Sequence, residues 1–136
     1  MSEEPAKKIL LVDDDCELCS EVAEILISEG YSVDQAYDGN DGQEMITSGG
    51  YDLIILDLKI PGKGGLEVLK EAKTKNPDLK IFIATGSQIF KTRLNEQVHF
   101  DKNKQDVILQ YADGILSKPF SIETLLVRIS AFLVNN

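Results

Sequence analysis

Short apolar runs alternate along this chain with stretches in which apolar residues recur at helical spacing. The apolar runs, together with one alternating segment, predict five strands, at 8–13, 31–37, 52–57, 79–85 and 113–118. Helical spacing predicts helices between them, from Asp15 to about Gly30, over 40–48, from Leu66 to just before Pro77, and after Ser121. Strands that alternate with helices are typical of βαβ units. The pattern therefore predicts an α/β fold in which helices cover both faces of a parallel sheet.

The stretch between the fourth and fifth strands carries two further helical patterns, separated by "HFDKNK". The apolar residues of the first are Ile89, Phe90, Leu94 and Val98, and those of the second are Val107, Ile108 and Tyr111. No repeat, low-complexity tract or linker interrupts the chain. We therefore predict a single domain over 1–136 with a core at about 7–134.

Composition narrows the class of protein. With 43% hydrophobic and 27% charged residues, the chain is typical of a soluble globular protein. The net charge of −9 argues against nucleic acid and against anionic membrane as partners, because both attract basic surfaces. No segment approaches the roughly 20 apolar residues of a membrane span. The N-terminal "MSEEPAKK" leads into only a short apolar stretch, so a secretory signal is not indicated and we expect a cytoplasmic location.

Polar side chains that could bind a metal or take part in a reaction follow four of the predicted strands. Asp13 and Asp14 end the first strand, Asp57 the third, Thr85 the fourth and Lys118 the fifth. In a five-stranded sheet of order 2-1-3-4-5, the first and third strands are neighbours at the point where strand order reverses, and ligands bind there. Clustered carboxylates raise one another's pKa unless a cation lies among them. Oxygen ligands beside a phosphate partner suit Mg²⁺, so the pattern predicts a magnesium site rather than separate solvated strand ends.

Four segments, "ILLVDDD", "DLIILDLKIPGKGGLEVL", "IFIATG" and "ADGILSKPF", resemble the signature segments of the response-regulator receiver domain of two-component signalling, the chemotaxis-regulator type included. The resemblance implies a flavodoxin-like three-layer sandwich with a five-stranded parallel sheet in order 2-1-3-4-5. It also implies a phosphoryl group taken from a sensor histidine kinase or a histidine phosphotransfer domain, followed by a conformational switch that signals to a partner or output domain. Such a domain catalyses only its own phosphorylation and dephosphorylation.

The resemblance also assigns roles to the acidic residues. Asp57 resembles the phosphoacceptor. Asp13 and Asp14 resemble the acidic pair that holds Mg²⁺, with Asp14 the more direct ligand. Asp57 and the backbone carbonyl of Lys59 are the further ligands that it implies. Asp15, the third acid of the run, is predicted to cap the first helix instead.

The resemblance assigns roles to Thr85 and Lys118 as well, and the chain departs from the family pattern at two places. Thr85 resembles the hydroxyl that bonds the phosphoryl group, and Lys118 the ammonium that pairs with it. The resemblance implies a cis peptide bond between Lys118 and Pro119. Ile115 stands where the family often has an aromatic residue that rotates inward on activation, and Gly64–Gly65 where it often has Asp-Gly.

A third departure is length, because the stretch between Thr85 and Lys118 is roughly ten residues longer than the family usually has. The excess lies in 87–111, which we call the lengthened segment. Its basic residues are Lys91, Arg93, Lys102 and Lys104. Two interpretations stay open: a solvated helix and loop, or a site for a downstream partner that changes order or position on phosphorylation.

The sequence also leaves alternatives for the cysteines and for the function. Cys16 and Cys19 form "CELC", which is compatible with a redox-active or metal-binding pair of thiols or with two small residues of a helix. A zinc site would need two more ligands, and the chain has a single histidine, His99. A flavodoxin-like electron carrier shares the fold, but aspartates after the first strand would repel the FMN phosphate. A Mg²⁺-dependent aspartate-nucleophile phosphohydrolase usually has an acid where this chain has Lys59. A degenerate receiver that only binds partners would normally lack a site residue.

Overall fold

Strands and helices alternate throughout the residues that the computed structural model describes, 5–86 and 102–134. The strands are β1 (Lys8–Val12), β2 (Ser32–Ala36), β3 (Leu53–Asp57), β4 (Ile81–Thr85) and β5 (Gly114–Ser117). The helices are α1 (Cys16–Ser28), α2 (Gly39–Ser48), α3 (Gly65–Lys75), α4 (Lys102–Tyr111) and α5 (Ile122–Val134). Each predicted strand is present, with ends that differ by a residue or two. In this part of the chain, no helix is both long and apolar enough to cross a membrane.

Part of the lengthened segment belongs to helix α4. The second helical pattern, with Val107, Ile108 and Tyr111, belongs to α4. Ile108 is buried, and Val107 and Tyr111 pack against the apolar core. The first pattern, from Ile89 to Val98, lies outside the described residues.

The sheet is parallel, with strand order β2-β1-β3-β4-β5, as the sequence predicts. In its register, Val12 of β1 lies beside Leu56 of β3, and Thr85 of β4 lies beside Ser117 of β5. All strands therefore end at the same edge of the sheet. The order makes β1 and β3 neighbours there, which brings the residues that follow Val12 next to the end of β3.

Two apolar cores lie on opposite faces of the sheet, because successive side chains of a strand point to opposite sides. One core joins the sheet to α1 and α5, and its largest strand residue is Phe82. The other joins the sheet to α3, with side chains of α2 and α4 packed at its margin. Every residue of β3 and β4 is buried, which explains why these strands are almost continuous apolar runs in the sequence.

Side-chain caps fix the starts of three helices. The Asp15 carboxylate accepts a hydrogen bond from the Leu18 amide at 3.1 Å, and that of Asp38 accepts one from the Asp41 amide at 2.8 Å. Before α5, the Ser121 hydroxyl accepts a hydrogen bond from the Thr124 amide at 3.0 Å. The predicted caps at Asp15 and Ser121 are thus confirmed.

Helix α2 buries a polar side chain against the core. Gln43 is 8% exposed, and neither atom of its amide has a hydrogen-bond partner among residues 5–86 and 102–134. A buried polar group without a partner costs about 1–3 kcal/mol of stability. Gln43 therefore makes α2 less stable than an apolar residue at this position would.

We expect the substitution Gln43→Leu to raise the free energy of unfolding by about 1 kcal/mol or more, since it removes the unpaired amide and keeps an apolar stem. Urea denaturation measures the change. Gln110→Leu, at an exposed position of α4, is the matched control and should have little effect. A Gln43→Leu protein less stable than the parent would contradict this account of α2.

Candidate functional site

Three carboxylates meet where β1 and β3 end. Asp13 and Asp14 follow β1, and Asp57 is the last residue of β3. One carboxylate oxygen from each lies within 4.8 Å of the other two. Asp13 and Asp57 are each 8% exposed, whereas Asp14 is exposed to solvent. The strand order thus produces the acidic cluster that the sequence predicts.

An ammonium group lies between the two buried carboxylates. Lys118 Nζ is 2.5 Å from Asp13 Oδ2 and 2.9 Å from Asp57 Oδ2. Burial lowers the pKa of Lys118, but the hydrogen bonds and negative charges of Asp13 and Asp57 outweigh burial, so the pKa lies above its usual value. Lys118 therefore stays charged and compensates the two carboxylates.

The backbone beyond β4 and β5 brings this lysine to the site. The Lys118 amide donates a hydrogen bond to the Thr85 carbonyl at 3.0 Å. The peptide bond between Lys118 and Pro119 is cis, as the resemblance implies. Lys118 thus reaches from the end of β5 across β4 to carboxylates at the ends of β1 and β3.

Backbone amides hold the second oxygen of each buried carboxylate. The Asp15 amide donates to Asp13 Oδ1 at 2.9 Å, and the Lys59 amide donates to Asp57 Oδ1 at 3.0 Å. Each of these carboxylates is thus oriented from both sides, by a backbone amide and by the ammonium. By contrast, the Asp14 carboxylate makes no hydrogen bond to any residue in the described ranges.

Thr85 and Lys59 complete the set of predicted residues at this edge. Thr85 ends β4 and is 4% exposed. It lies one residue beyond Ala84, which is the register partner of Asp57. The Lys59 side chain is exposed, and its backbone follows Asp57 in the loop before α3. All the predicted site residues therefore lie at one edge of the sheet.

Residues 9–130 match the family model of the response regulator receiver domain. The chain belongs to this family. The receiver is 39% identical over 127 residues to the transcriptional regulatory protein CiaR of Streptococcus pneumoniae, which covers 93% of the receiver and 51% of CiaR. It is 36% identical over 126 residues to the response regulator ArlR of Staphylococcus aureus, covering 93% and 52%. The receiver thus spans about half the length of these regulators.

Solved structures confirm the fold predicted for the receiver. A CheY-like response regulator receiver domain protein from Methanospirillum hungatei superimposes with a TM-score of 0.80 at 29% identity, covering 96% of the receiver and 95% of that chain. The response regulator TrrA from Thermotoga maritima, in complex with Mg²⁺-BeF, gives 0.76 at 32% identity, covering 93% and 99%. The flavodoxin-like sheet with order 2-1-3-4-5 is therefore the fold of this receiver.

Position 115 lies in β5, where Arg128 of α5 contacts the strand. Ile115 is half-buried, and its carbonyl accepts a hydrogen bond from the Arg128 guanidinium. The same guanidinium lies 5.3 Å from the centre of the Phe82 ring. A side chain at Gly114 would come within 2.9 Å of both Arg128 and Phe82. Arg128 thus covers part of β5 in a receiver that lacks an aromatic residue at position 115.

The cysteines occupy two different environments at the start of α1. Cys16 is exposed, and Cys19 is buried with its thiol donating to the Asp13 carbonyl at 3.4 Å. Burial, followed by the negative charge of Asp13, raises the pKa of Cys19 to about 12. A redox or metal-binding cysteine needs a lowered pKa instead. The structure therefore favours the interpretation of two small helix residues.

In the folded receiver, we expect a thiol reagent at about pH 8 to modify Cys16 and to leave Cys19 unmodified, because burial and a high pKa both suppress the Cys19 thiolate. Intact mass after iodoacetamide treatment measures the labelling. Cys16→Ser should remain unlabelled when folded and become labelled in denaturant. Labelling of folded Cys16→Ser would contradict the assigned environment of Cys19.

Proposed function

We propose that this receiver takes a phosphoryl group from a phosphohistidine donor onto Asp57 in a Mg²⁺-dependent reaction and then signals by a change of conformation. The observation that carries the proposal is the environment of Asp57. Its buried carboxylate is held by an ammonium and a backbone amide, with two further carboxylates alongside. The family and the names of the relatives, which are regulatory proteins, support this role. The donor is a sensor histidine kinase or a histidine phosphotransfer domain.

The acidic cluster fits a magnesium ion. Oxygen atoms from Asp13, Asp14 and Asp57 converge, and hard oxygen ligands are those that Mg²⁺ prefers. Asp14 is exposed, and its carboxylate makes no hydrogen bond within the described ranges, which suits a direct ligand. We assign the Lys59 carbonyl as the backbone ligand, as the resemblance to the receiver family implies. When bound, the ion neutralises charge on the transferring phosphoryl oxygens.

The chemistry is a transfer between two nucleophiles. A carboxylate oxygen of Asp57 attacks phosphorus, the bond from phosphorus to the donor histidine nitrogen breaks, and that nitrogen keeps the electron pair. Lys118 already lies 2.9 Å from Asp57 Oδ2, so its ammonium can pair with the phosphoryl oxygens as the transfer proceeds. The Thr85 hydroxyl donates a hydrogen bond to one of these oxygens. Water later hydrolyses the acyl phosphate, which restores the carboxylate and releases inorganic phosphate.

Self-phosphorylation fits the site better than turnover of an external phosphate ester. A phosphohydrolase of this type usually places an acid two residues after its nucleophile, to protonate the leaving group. Here that residue is Lys59, whose side chain is exposed. Position 59 therefore supplies no acid to protonate an alcohol leaving group.

Treatment with Mg²⁺ and acetyl phosphate should add a single phosphoryl group to the receiver, and Asp57→Asn should abolish the addition because an amide is a poor nucleophile. Intact mass spectrometry measures the product. Asp78→Asn, at an exposed position before β4, is the matched control and should be labelled like the parent. Undiminished labelling of Asp57→Asn would show that the phosphoacceptor is a different residue.

The second test separates the two acids that follow β1. Asp14→Ala should weaken Mg²⁺ binding more than Asp13→Ala, because both Asp13 oxygens are already engaged by Lys118 and by the Asp15 amide. Calorimetric titration of Mg²⁺ gives the affinities. Lys118→Ala should bind Mg²⁺ at least as tightly as the parent, since it removes a competing positive charge. Equal affinities for the two Asp variants would overturn the ranking.

A further inference from the structure

The loop between β3 and α3, residues 58–64, packs against the start of α2. We call it the acceptor loop, because it begins directly after Asp57. The Gly39 amide donates a hydrogen bond to the Pro61 carbonyl at 3.0 Å. A Cβ atom on Gly39 would overlap the carbonyl oxygen of Lys63. The two backbones therefore approach so closely that only glycine fits at position 39.

Helix α3 contacts the acceptor loop at its beginning and at Lys63. A Cβ atom on Gly65 would come within 2.6 Å of the Asp57 carbonyl oxygen and of the Leu58 Cα. The Lys63 ammonium forms an ion pair with the Glu71 carboxylate of α3. The acceptor loop thus lies between the starts of two helices, each of which contacts it through a glycine.

The start of α2 also contacts the strand that carries the other acids. A Cβ atom on Gly42 would come within 2.9 Å of Val12, the residue before Asp13. The Asp13 amide donates to the Ala36 carbonyl at 3.0 Å, just before the turn that leads into α2. One short segment, 36–42, therefore contacts both the end of β1 at Val12 and Asp13 and the acceptor loop at Pro61 and Lys63.

We propose that Gly39 is a positioning residue for phosphoryl transfer, although it lies outside the acidic cluster. Its lack of a side chain lets α2 set the position of the acceptor loop, and hence of the Lys59 backbone beside Asp57. The Lys59 amide holds Asp57 Oδ1 at 3.0 Å, and a shift of residues 61–63 carries this amide with it. The proposal rests on the phosphoacceptor role assigned to Asp57 above.

The substitution Gly39→Ala tests the proposal. The added methyl group pushes the acceptor loop away from α2, and we expect the initial rate of phosphorylation by acetyl phosphate to fall about tenfold or more. Mg²⁺ affinity should fall as well, through the Lys59 carbonyl. Both are measured at a temperature where urea denaturation shows the variant to be fully folded, so that loss of stability does not contribute.

Gly64→Ala is the matched control in the same loop. Gly64 has φ of −64° and ψ of 151°, which alanine adopts readily, and a Cβ atom there would meet nothing within 4 Å. Its phosphorylation rate and Mg²⁺ affinity should stay within about twofold of the parent. Equal behaviour of Gly39→Ala and Gly64→Ala would overturn the proposal.

A measurement on the unmodified receiver covers the case in which Gly39→Ala does not fold. Mg²⁺ with beryllium fluoride, a phosphoryl mimic, should slow hydrogen exchange of the Gly39 amide, which is bonded to the acceptor loop. It should affect the Asp41 amide less, because that amide is bonded to Asp38 within the α2 cap. Equal effects at the two amides contradict the proposal.

The outcomes also separate this proposal from the function on which it rests. If the unmodified receiver takes no phosphoryl group, or takes it elsewhere than Asp57, the proposed function fails. If Asp57 is phosphorylated at the same rate in the parent and in Gly39→Ala, only the positioning role of Gly39 fails.

Discussion

The contact of one ammonium with two buried carboxylates is the interaction on which the rest of this site depends. Asp13 and Asp57 are buried at neighbouring strand ends, where two uncompensated negative charges would repel each other and lose their hydration. Lys118 supplies the compensating charge at 2.5 Å and 2.9 Å. Removing one partner of such a buried set leaves charge unpaired, which costs more than the set itself contributes.

The parallel sheet makes this contact possible. The three residues are far apart in the sequence, but strand order 2-1-3-4-5 brings β1 and β3 side by side and places β5 two strands away from β3, within reach of a lysine side chain. Backbone amides from the following loops then orient the carboxylates. If Asp57 takes the proposed phosphoryl group, that group forms beside the Lys118 ammonium, which already lies 2.9 Å from Asp57 Oδ2.

The helices on the two faces of the sheet differ in how their side chains are packed and paired. On the face of α1 and α5, apolar side chains form one core, and Arg128 covers Phe82 and the carbonyl of Ile115. On the other face, α2 carries Gly39 close to the Lys63 backbone, Gly42 close to the Val12 side chain, and a buried Gln43 whose amide has no partner among the described residues. Local stability differs between elements of a fold, and elements that move are drawn from its less stable parts. By this criterion α2 is the less stable of the two supports of the acceptor loop.

The sequence by itself determined the elements of this fold and the identity of the acidic residues at strand ends. Apolar periodicity depends on local geometry, so the strands and the caps at Asp15 and Ser121 were predictable. The order of strands came from the general rule for such sheets and from the resemblance to a family. Only the tertiary structure decided which oxygen of Asp13 and Asp57 meets Lys118, that Cys19 is buried, and that Gly39 must lack a side chain. These features depend on distances between segments remote in the chain, and no local pattern encodes such distances.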